Sequence, residues 1–303
     1  MLAPDDEGVL DPWVEQWQRD NPQPDWMKEG FPPDIRELAR NYEGPPPTRH
    51  LDDVRDDAVG DVAIRIYRNN GPQTGVVVYF HGGAFIVGGV KMMDNVAREI
   101  AHATGAVVIS VEYRLAPENP FPAGLDDCEA VTRWVQEHVG DFGTSTDAIV
   151  LAGESAGANL ATAVTLRLRD AGLSNVAGQV LIYPCTDGPG VHYPSREQFG
   201  TAEWVWDEYR GGQNIADNPY AVPMRAASLA GLPPTLVVLA GCDSLRDEGR
   251  AYAARLRADG VDVEETCFAG QPHGFVNHDF PAAASVHELV GTWVRTKLAA
   301  TAT

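Results

Sequence analysis

The chain has 303 residues, 43 acidic against 23 basic, and a formal charge of −20. That balance repels nucleic acid and anionic membrane surfaces, and no apolar run is long enough to span a bilayer. A chain of this length buries roughly three quarters of its unfolded surface, so its core needs no metal or disulfide to close it.

In chain order, Met1 to Asp11 is acidic and lacks the basic and apolar regions of a secretory signal; a cytoplasmic address is expected. Residues 1–47 form a segment of their own. It has two short predicted helices (Pro12 to Arg19, Asp34 to Tyr42), three tryptophans (Trp13, Trp17, Trp26) and the breaker Gly44-Pro45-Pro46-Pro47. Trp13 and Trp17 are four apart and share a helix face, which suits either core packing or a lid over a site. From His50 the pattern alternates strand and helix. Strands are predicted over Thr48–Asp56, Asp61–Arg68, Gly75–Phe80, Ala106–Val111, Asp147–Ala152, Gly178–Tyr183, Thr235–Ala240 and Val261–Phe268. Helices are predicted over Met93–Thr104, Ala123–Val139, Ala156–Asp170, Ser244–Asp259 and Ala282–Ala299. Continuous apolar strands followed by helices give an α/β fold with a mostly parallel sheet covered on both faces. The short turn at Val59-Gly60 makes the first two strands an antiparallel hairpin at one edge. After Tyr183-Pro184 the rhythm breaks for about fifty residues rich in aromatics (Tyr193, Phe199, Trp204, Trp206, Tyr209, Tyr220); a break of that length is expected to be functional.

Four segments carry chemistry. Gly153-Glu154-Ser155-Ala156-Gly157 is a G-x-S-x-G pentapeptide between an apolar strand and a helix, the context in which a serine is presented on a tight turn as a nucleophile. His81-Gly82-Gly83-Ala84-Phe85 follows a buried strand; adjacent glycines let backbone N–H groups approach a substrate oxygen. Asp243 follows the run ending at Ala240, with Asp247 as its rival on the same segment, and His273 lies in Pro272-His273-Gly274-Phe275 after the last strand. The order is oxyanion loop, Ser, Asp, His, which is that of α/β hydrolases and of neither familiar serine protease class. Ser155 is the candidate nucleophile, His273 the base and then the acid, and Asp243 the group that orients the imidazole. The expected oxyanion donors are the N–H groups of Gly82, Gly83 and Ala156. His81 is expected to hold the loop in shape, Arg114 and Glu118 to form a structural turn, and Glu154 to be a glutamate without catalytic role. HExxH and CxxC pairs are absent, so no metal is expected. The glycines at 82, 83, 88 and 89 do not make GxGxxG, so a dinucleotide reading fails. Cys128, Cys185, Cys242 and Cys267 have no CxxC spacing, most adjoin apolar runs, and they read as buried free thiols rather than disulfides or metal ligands.

From about Gly75 onward the chain resembles the hormone-sensitive-lipase-like esterases of the α/β-hydrolase fold, bacterial members in particular. The resemblance is carried by His81-Gly82-Gly83, Tyr113-Arg114-Leu115-Ala116-Pro117-Glu118, Phe121-Pro122-Ala123, the Ser155 pentapeptide, Leu232-Pro233-Pro234, Leu245-Arg246-Asp247-Glu248-Gly249 and His273-Gly274-Phe275. Ala84, Glu154, Ala158 and Ser244 depart from the family pattern. The resemblance implies a sheet of about eight strands, a catalytic domain over residues 48–185 and 226–303, and a helical cap from residues 1–47 and 186–225. It implies a carboxylic ester hydrolase acting through an acyl-enzyme, without a cofactor; the aromatic-rich break and the methyl group of Ala84 beside the oxyanion loop lead to an expectation of short to medium acyl esters. An amidase, lactonase or deacetylase with the same triad is the alternative. The expected partner is a small-molecule ester, with no nucleic acid and no membrane; a homodimer is allowed for.

Overall fold

The computed structural model describes residues 7–22, 33–42, 46–173 and 175–301. Trp26 and the start of the Gly44-Pro45-Pro46-Pro47 breaker lie outside the described residues, as do residues 1–6. Helix α1 (Pro12–Asp20) opens as its sequence dictates: Asp11 Oδ1 accepts the Trp13 N–H at 2.9 Å, and Pro12 fills a position whose N–H has no helical partner. Helix α2 (Pro33–Arg40) follows.

Strands β1 (Asp53–Val59) and β2 (Val62–Arg68) form the expected antiparallel hairpin. The first starts five residues later than the sequence suggests, because 48–52 carries no ladder. Then come β3 (Val76–Phe80), α3 (Asp94–Thr104), β4 (Val107–Val111), α4 (Ala123–His138), β5 (Ile149–Glu154), α5 (Ala156–Asp170) and β6 (Val176–Ile182). The long break holds two short helices, α6 (Pro194–Phe199) and α7 (Glu203–Arg210). The chain closes with β7 (Thr235–Cys242), α8 (Arg246–Ala258), β8 (Val263–Pro272) and α9 (Pro281–Ala299). All eight strands make one sheet in the order β1-β2-β4-β3-β5-β6-β7-β8, parallel from β4 to β8.

Alternation along the strands sorts the sheet's two faces. Val76, Val78 and Phe80 join the core beneath α4, α5 and α8, with Leu125, Leu160 and Leu256. Val77 and Tyr79 join the core beneath α3 and α9, with Ile100 and Val290, and Val14 of α1 packs on the same face. Each fully buried valine or leucine contributes about 1.5–3 kcal/mol relative to exposure. An unpaired charge at Val78 of β3 or Leu151 of β5 would therefore break the layer that carries the site.

β8 runs four residues beyond its expected end. Its pairing with β7 shifts register between Ala240 and Cys242 and resumes at Cys242 opposite Pro272. The two strand ends thus finish side by side, and the next residues, Asp243 and His273, emerge as neighbours.

Candidate active site

Ser155 stands at the C-terminal end of β5 with φ +54°, ψ −119°, a sharp reversal into α5. The glycines on either side are required by contact. A Cβ at Gly153 would lie 2.3 Å from the Gly157 carbonyl, and one at Gly157 would lie 2.0 Å from the Phe80 carbonyl. The serine oxygen is thereby lifted off the backbone at the end of an open parallel sheet, where sites on such sheets lie.

His273 Nε2 is 2.9 Å from Ser155 Oγ, and His273 Nδ1 is 2.8 Å from Asp243 Oδ2. A carboxylate only accepts, so Nδ1 carries the proton to Asp243 and Nε2 is left to accept from the serine hydroxyl. Asp243 is buried, and its other oxygen accepts the Leu245 N–H at 2.9 Å. Burial by itself would depress the imidazole of His273. The charge and hydrogen bond of Asp243, with Glu154 and Glu248 beyond, outweigh it and hold the imidazole above its ordinary value. Asp247 lies elsewhere: it accepts the Ser195 N–H at 2.8 Å and pairs with Arg246 at 2.8 Å.

The loop after β3 is clamped. The Tyr113 hydroxyl donates to the His81 carbonyl at 2.7 Å, the His81 and Tyr113 rings stack at 4.2 Å, and His81 Nδ1 bonds the Gly82 carbonyl at 2.7 Å. This agrees with a shaping role for His81, whose burial lowers its basicity. Gly82 departs from expectation. Its N–H donates to Glu154 Oε1 at 2.8 Å and so is engaged inside the protein rather than free to meet a substrate. Two residues on, the side chain of Ala84 lines the cavity beside Ser155 and Ala156. Ala156 is the first residue of α5, where the backbone N–H has no partner within the helix.

The cavity above Ser155 has a volume of about 430 Å³. Leu10 and Gln18 enter from the N-terminal segment, and Arg196, Phe199, Val205 and Trp206 from the long break after β6. Trp13 and Trp17 pack against Phe280 at 5.0 and 5.3 Å, away from the cavity, so α1 reaches the site through other residues. Arg196 is tied below by a 2.5 Å ion pair to the fully buried Glu248, whose Oε1 also accepts the N–H groups of Thr186 and Asp187. Arg114 pairs with Asp127 of α4 at 2.8 Å. Sequence reasoning missed the Arg196–Glu248 tie and the anchoring by Glu154. Their partners lie 52 and 72 residues away, and no local pattern marks them.

Residues 77–277 match the family described as alpha/beta hydrolase fold. The chain belongs to that family. It is 39% identical over 250 residues to carboxylesterase NlhH of Mycobacterium tuberculosis, covering 75% of this chain and 76% of that one. It is 32% identical over 240 residues to the ethyl acetate hydrolase of Pseudomonas putida, covering 74% and 73%. The hyperthermophilic esterase of the archaeon Pyrobaculum calidifontis superimposes with a TM-score of 0.84 at 32% identity over 97% of this chain and 99% of that one. With these relatives the chain falls among the hormone-sensitive-lipase-like esterases, and its class is that of a serine hydrolase, a carboxylesterase. Among the described residues no helix is long and apolar enough to cross a membrane.

Proposed function

We propose that this carboxylesterase works through Ser155, His273 and Asp243, and that its esters are of short to medium acyl length. The observation that carries the reading is the continuous contact from Ser155 Oγ through the imidazole to Asp243, at 2.9 and 2.8 Å. A serine hydroxyl is a weak nucleophile until a base takes its proton. As Oγ attacks the ester carbonyl, the proton passes to Nε2, and Asp243 stabilises the imidazolium. The carbonyl oxygen, now anionic, accepts N–H groups of Gly83, Ala84 and Ala156, with Gly82 replaced in that set because Glu154 holds it. Collapse of the adduct breaks the bond to the alcohol, which leaves with the proton from His273. Water then enters by the same base, and the acid is released from Ser155.

Residues 1–47 and 186–225 are read as two pieces of one cap, since both send side chains into the cavity over Ser155. The acyl range is supported by the crowding of that cavity. Phe85, Val205 and Trp206 line it, and Ala84 adds a methyl group at the oxyanion loop. Each buried methylene contributes only about 0.8 kcal/mol, so a long chain soon meets walls that cost more than it gains. The P. putida relative is named for an ester of two carbons on each side. The four free cysteines fit a reducing compartment such as the cytoplasm.

The test is a panel of p-nitrophenyl esters from acetate to laurate, run beside an amide and a lactone, with Ser155→Ala as control. Ser155→Ala should lower kcat on esters by roughly 10⁴-fold or more while circular dichroism is unchanged. A folded variant that keeps more than a few per cent of activity removes Ser155 from the mechanism. Faster turnover of laurate than of butyrate removes the acyl preference.

A further inference from the structure

Glu154 ends β5 immediately before Ser155, and its side chain is buried. A buried carboxylate is costly unless its oxygens are matched by donors. Both are: Oε1 accepts the Gly82 N–H at 2.8 Å, and Oε2 accepts the Tyr183 hydroxyl at 2.9 Å. Residue 82 is shaped for this contact, since a Cβ there would lie 2.6 Å from Glu154 Oε1. Tyr183 is held at φ +35°, and its ring lies 4.7 Å from that of His273. One carboxylate beside the nucleophile thus reaches the oxyanion loop through Gly82 and the base through Tyr183.

We propose that Glu154 is a positioning residue for ester hydrolysis: it pins the oxyanion loop to the nucleophile turn, and its charge supports the imidazolium of His273 across the buried Tyr183. The proposal rests on the roles of Ser155, His273 and Asp243 given above. With the Gly82 N–H fixed on Glu154, the loop can lean neither into the cavity nor away from it, and the following N–H groups keep one position. A preset donor needs no reorganisation as the oxyanion forms, which is where such groups derive their effect. The carboxylates that act on His273 are Asp243 after β7, Glu154 at the end of β5 and Glu248 on α8, all in one direction, while the Arg196 guanidinium, paired to Glu248, lines the same cavity with the opposite sign. Tyr183 and the other hydroxyls that feel Glu154, Tyr79 and Tyr113, are kept neutral by burial, and His81 likewise resists protonation.

The experiment compares the unaltered enzyme with Glu154→Gln and Glu154→Ala, counting working sites with a fluorophosphonate that labels Ser155. If the unaltered enzyme is not labelled at Ser155, the reading beneath the proposal fails, whatever Glu154 does. Glu154→Gln keeps the shape and an acceptor for Gly82 but removes the charge. It should lower kcat, leave KM within about twofold, and move the acidic limb of kcat/KM to lower pH. Glu154→Ala removes the anchor too. Its kcat per labelled site should fall by about 10²-fold, the scale of one lost oxyanion donor. Affinity for a trifluoromethyl ketone, which mimics the tetrahedral adduct, should fall in parallel. A pH limb that stays in place in Glu154→Gln overturns the electrostatic role. Unchanged trifluoromethyl ketone affinity in Glu154→Ala overturns the anchoring role.

Discussion

Asp243 and Asp247 differ in what four residues of chain do to a carboxylate. Asp243 leaves the end of β7 beside the end of β8 and meets His273 at 2.8 Å. Asp247 falls in the first turn of α8, where the helix dipole suits it, and ties α6 down through the Ser195 N–H at 2.8 Å. Asp243→Asn should therefore lower kcat by about 10³–10⁴-fold with little change in KM, because the imidazole loses its orienting charge. Asp247→Asn should cost about 1–2 kcal/mol of stability and leave kcat within a few-fold. Kinetics and urea unfolding of both variants check this, and a large kcat loss confined to Asp247→Asn would exchange the two assignments. On the proposed mechanism His273 sets the pH dependence. The base must be neutral to take the serine proton, and the surrounding carboxylates hold its pKa above the ordinary value. The kcat/KM profile should then rise with pH through a limb above about 6.5, the unperturbed histidine value. A profile flat from pH 5 to 9, or a limb below that value, would contradict the environment described. The closeness of Ser155, Asp243 and His273 could be read from the chain because Ser155 and Asp243 each follow an apolar strand within three residues and His273 follows the last strand. The engagement of Gly82 was not, since a glycine pair reads the same whether its N–H meets a substrate or a glutamate 72 residues on.

At the scale of elements, the sheet and the break after β6 differ in how much of their form is local. Strands β3 to β7 are mostly apolar and buried, and a buried parallel sheet asks for little more. Helices α6 and α7 have six and eight residues, too short to be stable alone, and their place comes from distant ties. Arg196 reaches Glu248, and Tyr209 stacks on Phe85 with ring centroids 3.8 Å apart. That stack joins the break after β6 to the loop after β3. Ala84 and Phe85 hold φ at +56° and +62° there, each at a cost of about 1–2 kcal/mol for a residue with a Cβ. The loop keeps this strained course because Phe85 is packed by α7 and its carbonyl accepts the Ala116 N–H at 2.9 Å. Trp206 lies beside this pair, 6.0 Å from Phe85, and lines the cavity. Trp206→Ala should lengthen the acyl range. The ratio of kcat/KM for octanoate over butyrate should rise by up to about fourfold for each methylene newly accommodated, from 0.8 kcal/mol apiece. An unchanged ratio would show that the acyl arm runs elsewhere.

For the molecule as a whole, the 20 excess negative charges lie largely outside two cores that are apolar on both faces of the sheet. Stability against pH is therefore decided by the few titratable groups buried with those cores. His287 on α9 is one: its Nε2 is buried without a partner among the described residues, and burial lowers its pKa to about 4, with Glu99 and Arg49 acting in opposite directions. The folded form binds its proton less readily than the unfolded chain. Its contribution is therefore present above the ordinary histidine range and lost as pH falls from about 6.5 toward 4, a difference of roughly 3 kcal/mol. Glu248 acts with the opposite sign. Burial, only partly offset by Arg196 and the two N–H donors, raises it to about 7, so its contribution is full below the ordinary carboxylate range and lost as pH rises toward 7. The two oppose each other in the same window, and the parent's stability should vary with pH less there than either group alone would make it. His287→Leu removes one side of that balance. Urea unfolding at pH 7.5 and pH 4.5 should show the variant gaining on the parent at the lower pH, by an amount approaching roughly 3 kcal/mol. If the stability difference between variant and parent is the same at both pH values, His287 is not held neutral in the folded state.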